Sequence, residues 1–444
     1  MTDPPRRRPD AALGTSTAGA GVAHRDLSRR RFLAGGLAST AAAGVGVGGL
    51  AACGGDGSGP PGAAVPAADR ARSVAAYLPF RGPHQTGVTH PGNDQGLLAA
   101  FTVTAADRHE LRETFAALTT EVDRLMSGSP YEDRDPAYPP VHTGAVGNPP
   151  PAADLSVIVS AGASLFDERY GLADRRPRAL ETMPFLANDR LDPTRSHGDL
   201  LLSLTSTHED INLFALRQLH RATRGTLALH WMLGGYNRRI EPAPEGGAGK
   251  RNLLGFIDGT ANLDPGDDEV MDRFVWVQEG DDEPAWTVGG SYHVVRVIRM
   301  LVEFWDRTRL SEQERLIGRR KDTGAPFTGE AETDLPDYSD DPAGDVTPLD
   351  AHIRLANPRT ADTADDLIFR AGLNFSRGFD GSGQLDQGLA FVSYQRRMSQ
   401  FLNTQARLAG EPLEEYIRAE GGGFYFALPG VTAEGEILGE RLFA

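Results

Sequence analysis

The sequence predicts an α+β protein made of two related ferredoxin-like halves, and three observations predict it. Between residues 96 and 233, apolar residues recur at strand or helix spacing in the order strand, helix, strand, strand, helix, strand. The same order returns between residues 292 and 428. The stretches LLLSLTSTHEDINLFALRQL and LAFVSYQRRMSQFLNTQARL, one from each run, share a pattern of apolar strand, polar turn and amphipathic helix more than they share identities.

In the first half, Gly96 to Ala105 is an apolar strand, and Asp107 to Met126 repeats apolar residues at helical spacing. Leu155 to Phe166 and Leu200 to Leu204 read as strands, Ile211 to Ala222 as a helix and Thr226 to Leu233 as the closing strand. In the second half, Tyr292 to Met300 is a strand leading into a helix through Trp305. Leu367 to Phe375 and Gly388 to Tyr394 are strands, Met398 to Leu408 is a helix and Gly423 to Leu428 closes the set. The halves span 77–245 and 246–444 and meet near Gly246. Long loops separate the second half's elements, among them an acidic insert from Glu330 to Asp345, and loops of that length usually line or cover a site.

The first 53 residues read as an address rather than as part of the fold. Ser28-Arg29-Arg30-Arg31-Phe32-Leu33 precedes an uncharged Ala-, Gly- and Leu-rich run, the pattern of a twin-arginine signal. Its end, Leu50-Ala51-Ala52-Cys53, resembles a lipobox, which would make Cys53 a lipid anchor; otherwise cleavage falls at a nearby small residue. Residues 54–76 are a Gly/Pro/Ala-rich tether. Net charge is −16 even with a basic leader, so neither nucleic acid nor anionic lipid is expected as a partner of the folded part. The single cysteine excludes an intramolecular disulfide and Cys-based metal cages. The glycines of Gly44 to Gly49 fall inside the leader, and Gly249-Lys250 lacks a following Ser or Thr, so neither is a phosphate loop.

Three stretches of the second half hold the candidate chemistry. Gly255-Phe256-Ile257-Asp258-Gly259-Thr260 sets a carboxylate between glycines, which suits a tight turn or a loop pressed against a flat ligand. Ala351-His352-Ile353-Arg354-Leu355-Ala356-Asn357-Pro358-Arg359 sets one histidine among two arginines and an Asn-Pro turn. Leu367 to Phe375 carries Arg370 in an otherwise apolar strand, where a guanidinium needs an anion, and a plain structural ion pair would satisfy it.

Together these three stretches resemble the signatures of dye-decolourising (DyP-type) haem peroxidases, and most of all their exported EfeB-type deferrochelatase group. Phe80-Arg81-Gly82-Pro83-His84-Gln85-Thr86-Gly87, WTVGGSY from Trp286 and GGGFYFALPG from Gly421 extend the resemblance over about residues 77–435. The resemblance implies duplicated ferredoxin-like halves of the dimeric α+β barrel type enclosing one haem b. It implies His352 as iron ligand, Asp258 as distal acid and Arg370 as distal arginine. Gly259, Thr260, Ala261, Asn357, Pro358 and Arg359 would line the haem, Arg354 would reach a propionate, and Glu415 would hydrogen-bond the proximal histidine. Ala371 stands where many relatives have a second arginine, leaving Arg370 as the functional one.

The implied reaction reduces H2O2 and oxidises an organic donor, with electrons arriving through surface Trp or Tyr residues; Trp231, Trp276, Trp286 and Trp305 are candidates, with core packing the plain reading of most of them. Iron-uptake proteins and a homo-oligomer are the further partners the resemblance suggests. Two alternatives stand beside this reading: haem capture or iron release at the envelope, and an extracytoplasmic binding lipoprotein with no cofactor.

Overall fold

A computed structural model describes residues 75–90, 94–132, 134–238 and 249–444. The expected signal with Cys53, all but the last two residues of the tether, and the expected boundary near Gly246 lie outside the described residues.

The first half runs β1 (Gln95–Val103), α1 (Arg108–Ser127), β2 (Ser156–Gly162), β3 (Leu200–Ser206), α2 (Glu209–Ala222) and β4 (Leu227–Tyr236). The second half adds α3 (Asp268–Phe274), β5 (Ser291–Met300), α4 (Val302–Trp305), α5 (Leu310–Ile317) and α6 (His352–Ala356). It then continues through β6 (Phe369–Arg370), β7 (Leu373–Phe379), β8 (Leu385–Gln395), α7 (Met398–Leu408) and β9 (Ile417–Ala427). Lateral order is β2-β3-β1-β4 in one half and β9-β5-β8-β7 in the other, the ferredoxin-like arrangement twice over.

The two sheets join into one antiparallel ring. β2 pairs with β9 from Ser160–Ala427 to Gly162–Tyr425, and β4 pairs with β7 at Tyr236–Asn374. Gln85 locks the first joint. Its side-chain amide donates to Val159 O at 2.9 Å and Leu428 O at 2.8 Å, while Val159 N donates to its Oε1 at 2.8 Å.

Strand periodicity explains why these runs are apolar throughout instead of alternating. Successive side chains point to opposite faces. Leu97, Ala99 and Phe101 of β1 enter the core beneath α1 and α2, while Leu98 and Ala100 enter the core inside the ring. β3 divides in the same way: Leu200, Leu202 and Leu204 face outward and Leu201 inward. In the first half the outer face is filled by side chains of the two helices, chiefly Leu111, Phe115, Leu118, Phe214 and Leu219. In the second half, the corresponding face of β5 and β8 presents Ile298, Met300, Leu389 and Phe391 to a cavity instead.

One expected strand is two. The run Leu367 to Phe375 breaks into β6 and β7 at Ala371-Gly372. There the carbonyl of Gly372 accepts from Asn237 Nδ2 at 3.1 Å and from Lys250 Nζ at 2.9 Å.

Candidate active site

The cavity measures about 340 Å³ and lies between the outer face of the second half's sheet and α5, α6 and α7. Asp258, Gly259, Thr260, Ala261, His352, Asn357, Arg359 and Arg370 all line it. Arg354, Pro358 and Glu415 do not.

His352 opens α6, a helix of five residues. Its Nδ1 lies 2.8 Å from Glu411 Oε2, and the Glu411 side chain is almost wholly buried. A carboxylate only accepts, so Nδ1 carries the proton and the lone pair sits on Nε2, which has no hydrogen-bond partner among the described residues. Burial works against charge on this imidazole, but the charge and hydrogen bond of Glu411 outweigh it and hold the pKa above the ordinary histidine value. The ring keeps 35% of its side-chain surface open, on the cavity side.

The partner of His352 is therefore Glu411 and not Glu415. Pro412 starts a 3-10 turn that runs to Glu415. The residue before it stays extended and points into the core, while Glu415, at the far end of the turn, is exposed. Arg354 is corrected as well. Two residues along a helix is a rotation of about 200°, so Arg354 leaves the opposite side of α6 from His352. Its guanidinium donates to Asp341 Oδ2 at 3.0 Å, Asp341 O at 2.7 Å and Thr347 O at 2.6 Å, and lies 4.7 Å from the Tyr338 ring centre. It anchors the acidic insert, whose Pro336 and Tyr338 reach the cavity wall.

Asp258 sits at the end of a small hairpin. Arg251 bridges Ile257, Asp258 N donates to Lys250 O at 3.0 Å, and Asn252 N donates to Phe256 O at 3.0 Å. Gly255 turns the chain at φ +88°, and a Cβ there would come within 2.6 Å of Lys321 Cε. The turn itself falls at Asn252 to Gly255, earlier than the expected Gly255 to Gly259, and Asp258 ends the returning arm of the hairpin, at the cavity.

Arg370 reaches the same cavity from β6. Its Nη2 donates to Thr260 O at 2.7 Å, and no carboxylate pairs with it among the described residues. The structural ion pair offered as its plain explanation is thus not what holds it. By contrast Arg296, which also lines the cavity, is neutralised by a buried pair with Asp189. Thr260 Oγ1 in turn donates to Glu332 Oε1 at 2.9 Å, tying the Asp258 loop to the acidic insert.

Further cations stand on the wall. Arg359 and Arg418 have no ion-pair partner among the described residues, and Arg418 Nε is buried without a hydrogen bond. The Arg319 side chain donates, among the described residues, to the carbonyls of Gly324 and Glu332. One imidazole nitrogen, apolar walls and cations without counter-ions fit a flat apolar group with a metal at its centre and acids on its edge. No three His, Cys, Asp or Glu side chains gather to cage a bare ion among the described residues, so a metal here would bring most of its own ligands. The residues present fit haem.

The family model "Dyp-type peroxidase, N-terminal" matches residues 85–237, and "Dyp-type peroxidase, C-terminal" matches residues 249–432. This chain belongs to the Dyp-type peroxidase family. It is 44% identical over 366 residues to deferrochelatases of Escherichia coli strain K12 and Shigella flexneri, spanning 82% of this chain and 86% and 87% of those proteins. Among solved structures it resembles ferric DtpA from Streptomyces lividans, with a TM-score of 0.74, 34% identity and coverage of 84% and 98% of the two chains. The DyP-type peroxidase from Cellulomonas bogoriensis gives a TM-score of 0.73 at 32% identity, with 83% and 98% covered. As a member of the family the chain is a haem-dependent peroxidase, acting on H2O2 and a reducing substrate. The match overturns the cofactor-free part of the binding-lipoprotein reading.

Several residues of the site were not singled out from sequence. Glu411 is one carboxylate among three in five residues, and only the Pro412 that fixes its extended backbone distinguishes it. Asn262, whose side chain bonds both the backbone amide and the carbonyl of Arg370, leaves no motif, and Lys250, read from sequence only as a failed phosphate loop, bonds the Gly372 carbonyl. The four tryptophans offered as surface relays are all buried, and Trp231, Trp286 and Trp305 each donate their indole N–H to a backbone carbonyl.

Proposed function

We propose that this chain holds one haem b through His352 Nε2 and reduces H2O2 with Asp258 and Arg370 while oxidising an organic donor such as a dye. The observation that carries the reading is that Asp258, Arg370 and the His352–Glu411 pair line one cavity although they lie far apart in sequence. Haem, when bound, supplies the redox-active iron.

The protein's own part is proton transfer and charge. Asp258 would accept a proton from one peroxide oxygen and return it to the other, the oxygen that leaves as water; over the whole reaction the organic donor gives up two electrons and two protons, and H2O2 becomes two waters. Arg370, with no carboxylate paired to it among the described residues, stabilises the negative charge on the departing oxygen. A positioned acid or base contributes typically about 10²–10⁴-fold and a preorganised donor about 10²–10³-fold. Glu411 fixes the His352 ring and increases its electron donation. Arg359, Arg319 and Arg418 are the cations available to the acids at the group's edge; Asn357, with Gly259, Thr260 and Ala261, walls it in. Because the proton acceptor is a carboxylate, activity is expected to peak at acidic pH.

The test is spectroscopic first and kinetic second. Reconstitution with haem should give a Soret band that His352→Ala loses. Asp258→Asn should retain the band and lose about 10²-fold or more of peroxide turnover. Unchanged turnover removes Asp258 from the reaction.

A second reading follows from relatives at 44% identity that bear the name deferrochelatase: haem capture, or release of iron from haem, in envelope iron uptake with partner proteins. Retained haem binding with no peroxide-dependent turnover, together with iron release from added haem, would favour it. Under either reading we place the mature protein outside the cytoplasm by the twin-arginine route, with Cys53 as a lipid anchor. Replacing Arg29 and Arg30 by Lys should trap it inside, and Cys53→Ser should free it from membranes.

A further inference from the structure

Asn188 belongs to the first half, in the loop between β2 and β3, yet it lines the cavity that lies against the second half's sheet. Its backbone is left-handed, with φ +60°, a conformation that asparagine tolerates better than most residues. Its Nδ2 donates to the carbonyls of Glu414 and Ile417, each at 2.9 Å. These carbonyls bracket the end of the 3-10 turn that begins at Pro412, and the residue before that turn is Glu411, the partner of His352.

We propose that Asn188 is a positioning residue for the proximal side of the site: it clamps the turn that aims Glu411 at His352, so that the first half sets the hold on a ligand carried by the second. The proposal rests on the reading of His352 as the iron ligand with Glu411 behind it. A group that orients a metal-binding histidine must itself be held to within about 0.5 Å. Glu411 has local ties: its N donates to Leu408 O at the end of α7, and its O accepts from Glu414 N, each at 3.0 Å. Leu301 N donates to Tyr416 O at 2.8 Å and fastens the turn to the exit of β5. The bonds of Asn188 reach the backbone three and six residues beyond Glu411, so they act on the carboxylate through the turn. The Asn188 loop is firmly seated itself. Asp189 forms its buried pair with Arg296 of β5 and accepts from Leu186 N at 2.9 Å. Arg190 N donates to Ala419 O at 2.8 Å and Asp192 N to Glu420 O at 2.9 Å, which lays the loop along β9.

The experiment is a double-mutant cycle on the haem-loaded protein, read as the rate of haem transfer to apomyoglobin. Asn188→Gly keeps the left-handed backbone and removes both bonds. Alone it should speed haem release roughly 3–10-fold. In a Glu411→Ala background, itself faster by about 10–100-fold, it should add nothing. The iron–histidine stretching band of the ferrous protein gives a second readout. Asn188→Gly should move it toward its position in Glu411→Ala, and the double variant should move it no further. Asn188→Asp, which sets an oxygen against the two carbonyls, should give the same pattern and serves if the glycine protein does not fold. Additive effects on release, or a stretching band left at its wild-type position, overturn the proposal and make Asn188 a scaffold residue, as does failure of both variants to fold. A Glu411→Ala protein with the haem release and the band of the wild type is a distinct result: the role of Glu411 behind His352 fails, and that of Asn188 falls with it.

Discussion

Asn262 and Arg370 exchange two hydrogen bonds. The backbone amide of Arg370 donates to Asn262 Oδ1, and Asn262 Nδ2 donates to Arg370 O, each at 2.9 Å. The side chain thereby acts as one more residue of sheet against β6. It stitches the loop carrying Asp258 to the strand carrying Arg370.

Asn262→Ala removes both bonds and leaves the Arg370 backbone amide and carbonyl without these partners. It is expected to cost about 1–3 kcal/mol of stability and to lower kcat/KM for H2O2 several-fold. The Soret band should be unchanged, because the His352 side is untouched. Denaturant titration and steady-state kinetics on one preparation check this.

Glu411 and Glu415 can be told apart directly. Loss of a carboxylate that orients a metal-binding histidine typically costs about 10–100-fold in metal affinity. Glu411→Ala should therefore weaken haem retention by that order, measured by transfer to an acceptor protein such as apomyoglobin. Glu415→Ala, at an exposed position, should match wild type.

Arg354 and Arg359 should fail in different ways. Arg354→Met breaks the contact with Asp341 and loosens the acidic insert, lowering the thermal midpoint of the haem-free protein by roughly 2–5 °C. Arg359→Met breaks no ion pair among the described residues, so its effect should appear in haem affinity with little change in that midpoint.

His293 supplies a pH dependence unrelated to the reaction. It is buried inside the ring, and burial drives its pKa from 6.5 down to about 3. The folded state thus holds it neutral while the unfolded chain binds a proton below 6.5. Its contribution is complete above pH 6.5 and is lost as pH falls from there toward 3, at up to about 1.4 kcal/mol per pH unit for one proton. Stability measured across this window in the wild type and in His293→Gln should differ in slope by close to one proton.

Much of this architecture was readable in the chain, and the reasons are local. The helix from Met398 to Leu408 matches its expected bounds because its apolar positions, helical spacing and the preceding polar turn all agree. β1 and β3 were readable because burial on both faces makes a continuous apolar run. The break between β6 and β7 was not, since it depends on Asn237 and Lys250, more than 100 positions away. Asp258, His352 and Arg370 stood out through their surroundings in sequence. Glu411 did not, because selecting it over Glu415 requires the path of a turn, and Arg354 was misread because adjacency along a short helix does not mean adjacency in space.

The ring has a consequence for assembly. With β2 against β9 at three positions and β4 against β7 at one, the halves cover only part of each other's outer strands. The remainder of β4, from Leu227 to Gly235, pairs with β1 on one side and with no second strand among the described residues, so a single bridged position closes the ring at that joint and leaves an edge beside it.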